Sequence, residues 1–211
     1  RPALQKAEPD LLCLAEGERS VTLTGTGFVT VAGAMPTVTF ADGMQLTPTG
    51  AEGCAAIDGT TLAAQSCTTL QLSVPQAWLE PGVFSLSVTN PDPAGCHTEE
   101  TVTMAIAPAP SVSAIEADLV CLAEDARSFT LKGADLIVLR GETDLFPEVT
   151  IGATAFTPTA ARGCETIPGT LLAAERCNEL DLTIPANGLP SGVAQVSVTN
   201  PDPAGCSSTQ S

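Results

Sequence analysis

The residues of this chain best suited to chemistry are its eight cysteines, its single histidine and its surplus of acids. A zinc site needs closely spaced thiolate pairs, yet there is no Cys-x-x-Cys anywhere, and no histidine separates Cys54 from Cys67. Covalent haem attachment fails as well: Cys96 precedes His97, but position 93 is Pro93. A Ser-His-Asp hydrolase would have to use His97, the only histidine. Glycosidase chemistry needs two carboxylates across a cleft lined by rings; acids are plentiful here, but aromatics are only 3% of residues. The Asn90-Pro91-Asp92 and Asn200-Pro201-Asp202 segments offer oxygens to a hard cation such as calcium, though too few for a full shell. A turn with Asx hydrogen bonding explains them better. No phosphate-binding glycine loop, nucleophile elbow or His-Glu metal motif occurs. The expectation is a protein with no enzymatic role, no cofactor and no metal.

Composition narrows the partners. With 8 basic against 24 acidic residues the net charge is −16, the wrong sign for neutralising phosphates, so neither nucleic acid nor anionic lipid is expected as a partner. Hydrophobic residues at 44% and a mean hydropathy of +0.23 are too apolar for a disordered chain. No apolar run reaches the roughly 20 residues needed to cross a bilayer, so direct membrane insertion is not expected.

The elements that must position these residues come twice. LLCLAEGERSVTLTG from Leu11 returns as LVCLAEDARSFTLKG from Leu119, and TNPDPAGC from Thr89 to Cys96 recurs unchanged from Thr199 to Cys206. Between these anchors Cys54 and Cys67 correspond to Cys164 and Cys177. The second copy carries an insertion within 140–146, the behaviour of a loop. The expected domains are 1–107 and 108–211, joined by Ala107-Pro108-Ala109-Pro110, a short semi-rigid linker.

Val21 and Leu23, Val38 and Phe40, Leu70, Leu72 and Val74, then Phe84, Leu86 and Val88 alternate with polar residues, the period of half-buried strands. Gly and Pro punctuate them into about seven strands per copy, which predicts an all-β chain of two sandwiches. One helical turn is allowed at 61–65 and 171–175. Val102, Met104 and Ile106 supply a last strand in the first copy. The second copy has no such run after Cys206, so it is expected to expose an unpaired edge. A start at Arg1 rather than Met adds to the expectation of a piece of a longer polypeptide.

The order VTLTGTGF, PTVTF, TTLQLSVP and PGVFSLSVTNPDPAG resembles the IPT/TIG class of immunoglobulin-like domains. Gly25, Gly27 and Phe28 match its Gly-x-Gly turn, and Asn90, Pro91 and Asp92 its last hairpin, whereas Ala134-Asp135-Leu136 departs from that pattern. The resemblance implies two tandem immunoglobulin-like sandwiches of an extracellular or cell-surface protein, used for spacing, adhesion or ligand contact.

Four cysteines per copy allow three internal pairings. With one on the first strand and one at the start of the last, the expected bonds are Cys13–Cys96 and Cys54–Cys67, then Cys121–Cys206 and Cys164–Cys177, two in each sandwich. Such bonds persist in oxidising compartments, which predicts export. Trp78, replaced by Gly188 in the second copy, and Leu145 and Phe146 in the inserted loop are candidates for partner contact, with local packing the competing role. The leading expectation is a structural or adhesive repeat of a surface or filament protein. Its partners would be other immunoglobulin-like repeats or subunits, joined by strand addition. The alternative is a carbohydrate- or receptor-binding module of a larger secreted protein.

Overall fold

The computed structural model describes residues 1–14, 17–76, 80–116, 125–189 and 191–208. All regular structure among them is β, and no helix is long and apolar enough to cross a membrane. The chain divides into two compact units, Arg1–Ile106 and Ala107–Ser211, one residue from the boundary expected at 107/108.

In the first unit β1 (Ala3–Glu8), β3 (Arg19–Val31), β8 (Ala64–Val74), β6 (Gly50–Glu52) and β7 (Ala55–Ala56) make one sheet, in the order β1-β3-β8-β6 with β7 also on β8. The other runs β2 (Leu11–Cys13), β10 (Val102–Ala107), β9 (Gly82–Thr89), β4 (Thr37–Phe40), β5 (Gln45–Leu46). Alternation along these strands sends one face inward. Val21, Leu23, Phe28, Leu70 and Leu72 from one sheet meet Val38, Phe40, Leu86, Val88 and Met104 from the other in one core, all at most 1% exposed. Phe84 packs edge-on against Phe40 at 6.3 Å between ring centres.

The second unit repeats the first sheet with β11 (Ser111–Glu116), β12 (Arg127–Leu139), β17 (Ala174–Ile184), β15 (Ala160–Arg162) and β16 (Glu165–Thr166). Its other sheet holds β14 (Thr154–Phe156), β13 (Glu148–Ile151) and β18 (Val196–Thr199). Among the described residues, β18 is therefore an edge strand. The sequence counterpart of β2 lies outside the described residues.

No helical turn forms at 61–65 or 171–175, contrary to expectation. Each stretch bends at its start and then enters a long strand, β8 or β17. The Leu-Ala-Ala segment is drawn into the ladder because Ile57 and Ile167 donate their N–H groups to the carbonyls of Ala64 and Ala174. Local helix tolerance yields to strand pairing that satisfies the backbone over a longer span.

Candidate functional site

Two local devices occur in both units and explain the parts of the sequence repeated most faithfully. The first is a bulge in the long strand. The β3–β8 ladder shifts register between Thr24 and Phe28, and the β12–β17 ladder between Lys132 and Leu136. Gly25 and Gly133 lie in these interruptions, where the first strand of each unit crosses so closely that a Cβ would overlap the carbonyl oxygen of Ala3 or Ser111. Gly27 adopts φ 68°, and Asp135, at the same place in the second unit, adopts φ 57°. Aspartate is among the few non-glycine residues that tolerate this region, so the motif survives its departure from Gly-x-Gly.

The second device is an asparagine clamp on that bulge. Asn90 is 4% exposed; its Oδ1 accepts from the Val29 N–H and its Nδ2 donates to the Gly27 carbonyl, both at 2.9 Å. Asn200, 2% exposed, does the same with the Ile137 N–H and the Asp135 carbonyl, again at 2.9 Å. The clamp fixes the last hairpin, in which Asn90 and Asn200 donate their own N–H groups to Cys96 and Cys206 at 2.8 Å. The Asp92–Pro93 and Asp202–Pro203 peptides within it are cis. Both amides of the asparagines face backbone, so neither is open to a cation, and the twin segments act as turns.

The hairpin carries the cysteine that the sequence pairs with the first strand. Cys54–Cys67 and Cys164–Cys177 are bonded as expected, each with a Cα separation of 3.9 Å. Cys13 is also disulfide-bonded, but Cys96 is a free, partly exposed thiol, so the Cys13–Cys96 pair does not form. The reason is distance along β3. The Cys13 carbonyl accepts from Arg19 Nε at the start of that strand, whereas Cys96 is tied through Asn90 to Val29 near its end. At about 3.3 Å per residue the two anchor points lie roughly 30 Å apart, far beyond the roughly 6 Å between Cα atoms that a disulfide spans. Cys206 is disulfide-bonded and fully buried; Cys121 lies outside the described residues, as does Trp78.

The staples, with Cys67 and Cys177 buried and Cys54 exposed, adjoin the two most distinctive surfaces. In the first unit an open cavity of about 610 Å³ lies beside Cys54, lined chiefly by Thr30, Met35, Ala56, Ile57, Leu62 and Gln65. In the second unit Arg140 holds the corresponding place, since Ala32 and Arg140 make the same backbone bond, to Ala63 and Ala173. Its guanidinium donates to Glu175 and to Asp144 of the inserted loop, each at 2.7 Å, and lies 3.8 Å from Cys164 Sγ. The Asp144 and Glu175 carboxylates raise the Arg140 pKa above its ordinary value. Cys164, Cys177 and Glu175 cluster tightly enough to suggest metal ligation, but the two sulfurs are bonded to each other and no longer available as thiolates.

The remaining sequence candidates scatter. His97 is exposed, bridging to Thr89 through backbone. Phe146 packs partly buried against the core of the second unit, while Leu145 is 50% exposed and pairs through backbone with Leu139. Burial lifts the Asp135 carboxyl above its usual range against the opposing pull of Arg176 at 3.6 Å. The sequence reading missed both Asn90 as a clamp and Arg140 as a loop anchor. The unchanged TNPDPAGC repeat was the available signal for the first; nothing local distinguished the second.

No protein-family model matches the chain, and no curated protein matches it. Among solved structures, the Bacteroides ovatus mixed-linkage glucan utilization locus SGBP-B in complex with a mixed-linkage heptasaccharide aligns over all of this chain at 11% identity, with a TM-score of 0.27. The chain spans 44% of that structure's length. A likeness this low carries no conclusion about fold or ligand.

Proposed function

We propose that this chain is a tandem pair of IPT/TIG-type immunoglobulin-like sandwiches serving as a non-enzymatic structural and adhesive repeat of an extracellular or cell-surface assembly. The observation that carries the reading is that one design is built twice: bulge, asparagine clamp and cross-strand disulfide recur with the same partners in both units. A duplicated scaffold with its polar groups tied to its own backbone suits a spacer better than a catalyst. Its disulfides fit an oxidising compartment, and its acidic surface keeps a crowded assembly soluble. Load along the chain would shear β1 against β3 and β11 against β12, antiparallel ladders that must break many bonds together. Strand addition at β18 would have to start near Val196, because Ser207 and Ser208 already pair with Thr199 and Val198.

The second reading, a ligand-binding accessory module, is favoured by the cavity of the first unit. Its lining holds Met, Ile, Leu and Ala but no aromatic ring, so it suits an apolar protein contact better than sugar stacking. Electron microscopy of the concentrated protein, run beside a glycan array, separates the two. End-to-end association without sugar binding supports the structural role; reproducible glycan binding by a dispersed monomer overturns it.

A further inference from the structure

We propose that the Cys54–Cys67 disulfide is an exchange site for small uncharged dithiols, reached through the cavity of the first unit, while Cys164–Cys177, the same staple in the second unit, is shielded from them. The inference goes beyond the repeat role, since it gives the two copies different covalent reactivity. It rests on a contrast between two sites that share one backbone frame. In each unit the outer cysteine follows a glycine of positive φ, Gly53 or Gly163, and bonds to a buried cysteine of the long strand β8 or β17. The surroundings of the outer sulfur differ. Cys54 is exposed and lines the open cavity, whereas Cys164 is half-buried and packs against the core of its unit. Ile57 and Gln65 are exposed, and their counterparts Ile167 and Glu175 are half-buried. No residue lining the cavity is charged. In the second unit Arg140 stands in the place of Ala32, lies 3.8 Å from Cys164 Sγ and is pinned by Glu175 and Asp144 at 2.7 Å each.

Both differences act in one direction. Exchange requires a thiolate to reach one sulfur of the bond, so access governs the rate. The cavity leaves Cys54 open to approach, and its aliphatic walls, Met35, Ile57 and Leu62, suit an uncharged carrier. In the second unit the guanidinium lies against the outer sulfur. Two carboxylates against one guanidinium leave that site net negative, which repels an incoming thiolate. At the open staple, one thiolate of the dithiol attacks Cys54 Sγ; the S–S bond breaks, and Cys67 leaves as a thiolate that takes up a proton. The second thiolate of the dithiol then attacks the carrier sulfur of the mixed disulfide and releases Cys54. The staple gains two electrons and two protons, and the dithiol becomes a cyclic disulfide.

The full chain is treated with dithiothreitol, sampled over time, trapped with N-ethylmaleimide at low pH and mapped by mass spectrometry. Cys54 and Cys67 should appear as alkylated thiols about tenfold or more sooner than Cys164 and Cys177. The variant R140A/E175Q gives the second unit the Ala32 and Gln65 of the first, and should narrow that gap to about threefold or less. Urea below the unfolding transition should leave the Cys54–Cys67 rate unchanged, because the attack falls on the folded unit. Equal rates, a faster second staple, a first-staple rate that climbs in urea in step with unfolding, or a second-staple rate unmoved by R140A/E175Q each overturns the proposal.

Discussion

Replacing Asn90 by alanine tests whether the repeated hairpin is anchored as described. The substitution leaves the Val29 N–H and the Gly27 carbonyl without their 2.9 Å partners at a site 4% exposed to solvent. An unpaired buried donor costs about 1–3 kcal/mol, and each bond contributes about 1 net, so the first unit should lose about 2–4 kcal/mol. For a domain near 100 residues that lowers the melting temperature by roughly 10–25 °C. Urea and thermal melts followed by far-ultraviolet circular dichroism would read it as an early transition of one unit. Asn90→Asp sharpens the test. Aspartate keeps the acceptor for Val29 but turns the donor facing Gly27 into a second oxygen, which raises the folded-state pKa above the unfolded value of about 3.9. Stability gained from the protonated carboxyl is present below the unfolded value and lost as pH rises through the folded one. Asn90→Asp should therefore approach the wild type in acid and fall behind it at neutral pH. A loss under about 0.5 kcal/mol for Asn90→Ala, the range of ordinary surface changes, would refute the clamp.

Gly25→Ala and Gly133→Ala should each cost about 1–3 kcal/mol, because the neighbouring first-strand carbonyl is backbone and cannot swing aside; chemical denaturation measures this. Asp135→Asn should stabilise the second unit by a fraction of a kcal/mol at neutral pH, since asparagine keeps the positive φ and removes a charge whose burial outweighs its pairing with Arg176. The advantage should vanish in acid, where Asp135 is protonated in both states. C54A/C67A should cost the first unit about 3 kcal/mol on the chain-entropy account of a short closed loop, read by the same melts. Arg140→Ala should leave global stability within about 1 kcal/mol, its ion pairs being partly exposed, while limited proteolysis cuts the 140–146 loop faster.

How much of this was legible beforehand depends on the range of the interaction. Val21, Leu23, Leu70, Leu72 and Val88 announce buried strand faces because their alternation is local, and each is buried as the period requires. Cys54 and Cys67 are readable for the same reason, being close in sequence and flanked by strand patterns. Cys13 and Cys96 were misread because sequence order says nothing about which end of a sandwich a residue reaches; that emerges only when β2 and the last hairpin are placed along β3. Arg140 stands at the start of the insertion where the first unit has Ala32, which carries no charge to signal an anchor, and its partners Asp144 and Glu175 meet only after the strand register is set. The Leu-Ala-Ala stretch looked helix-tolerant because propensity is blind to the ladder waiting on either side.

The central claim is that two copies of one disulfide-stapled sandwich stand where thiols oxidise. Protein taken from its native source, alkylated before any reductant and mapped by mass spectrometry, tests it most directly. The account predicts Cys54 joined to Cys67 and Cys164 joined to Cys177, each pair confined to its own repeat. Recovery of these four as alkylated thiols, or bonded across the repeats, would contradict it.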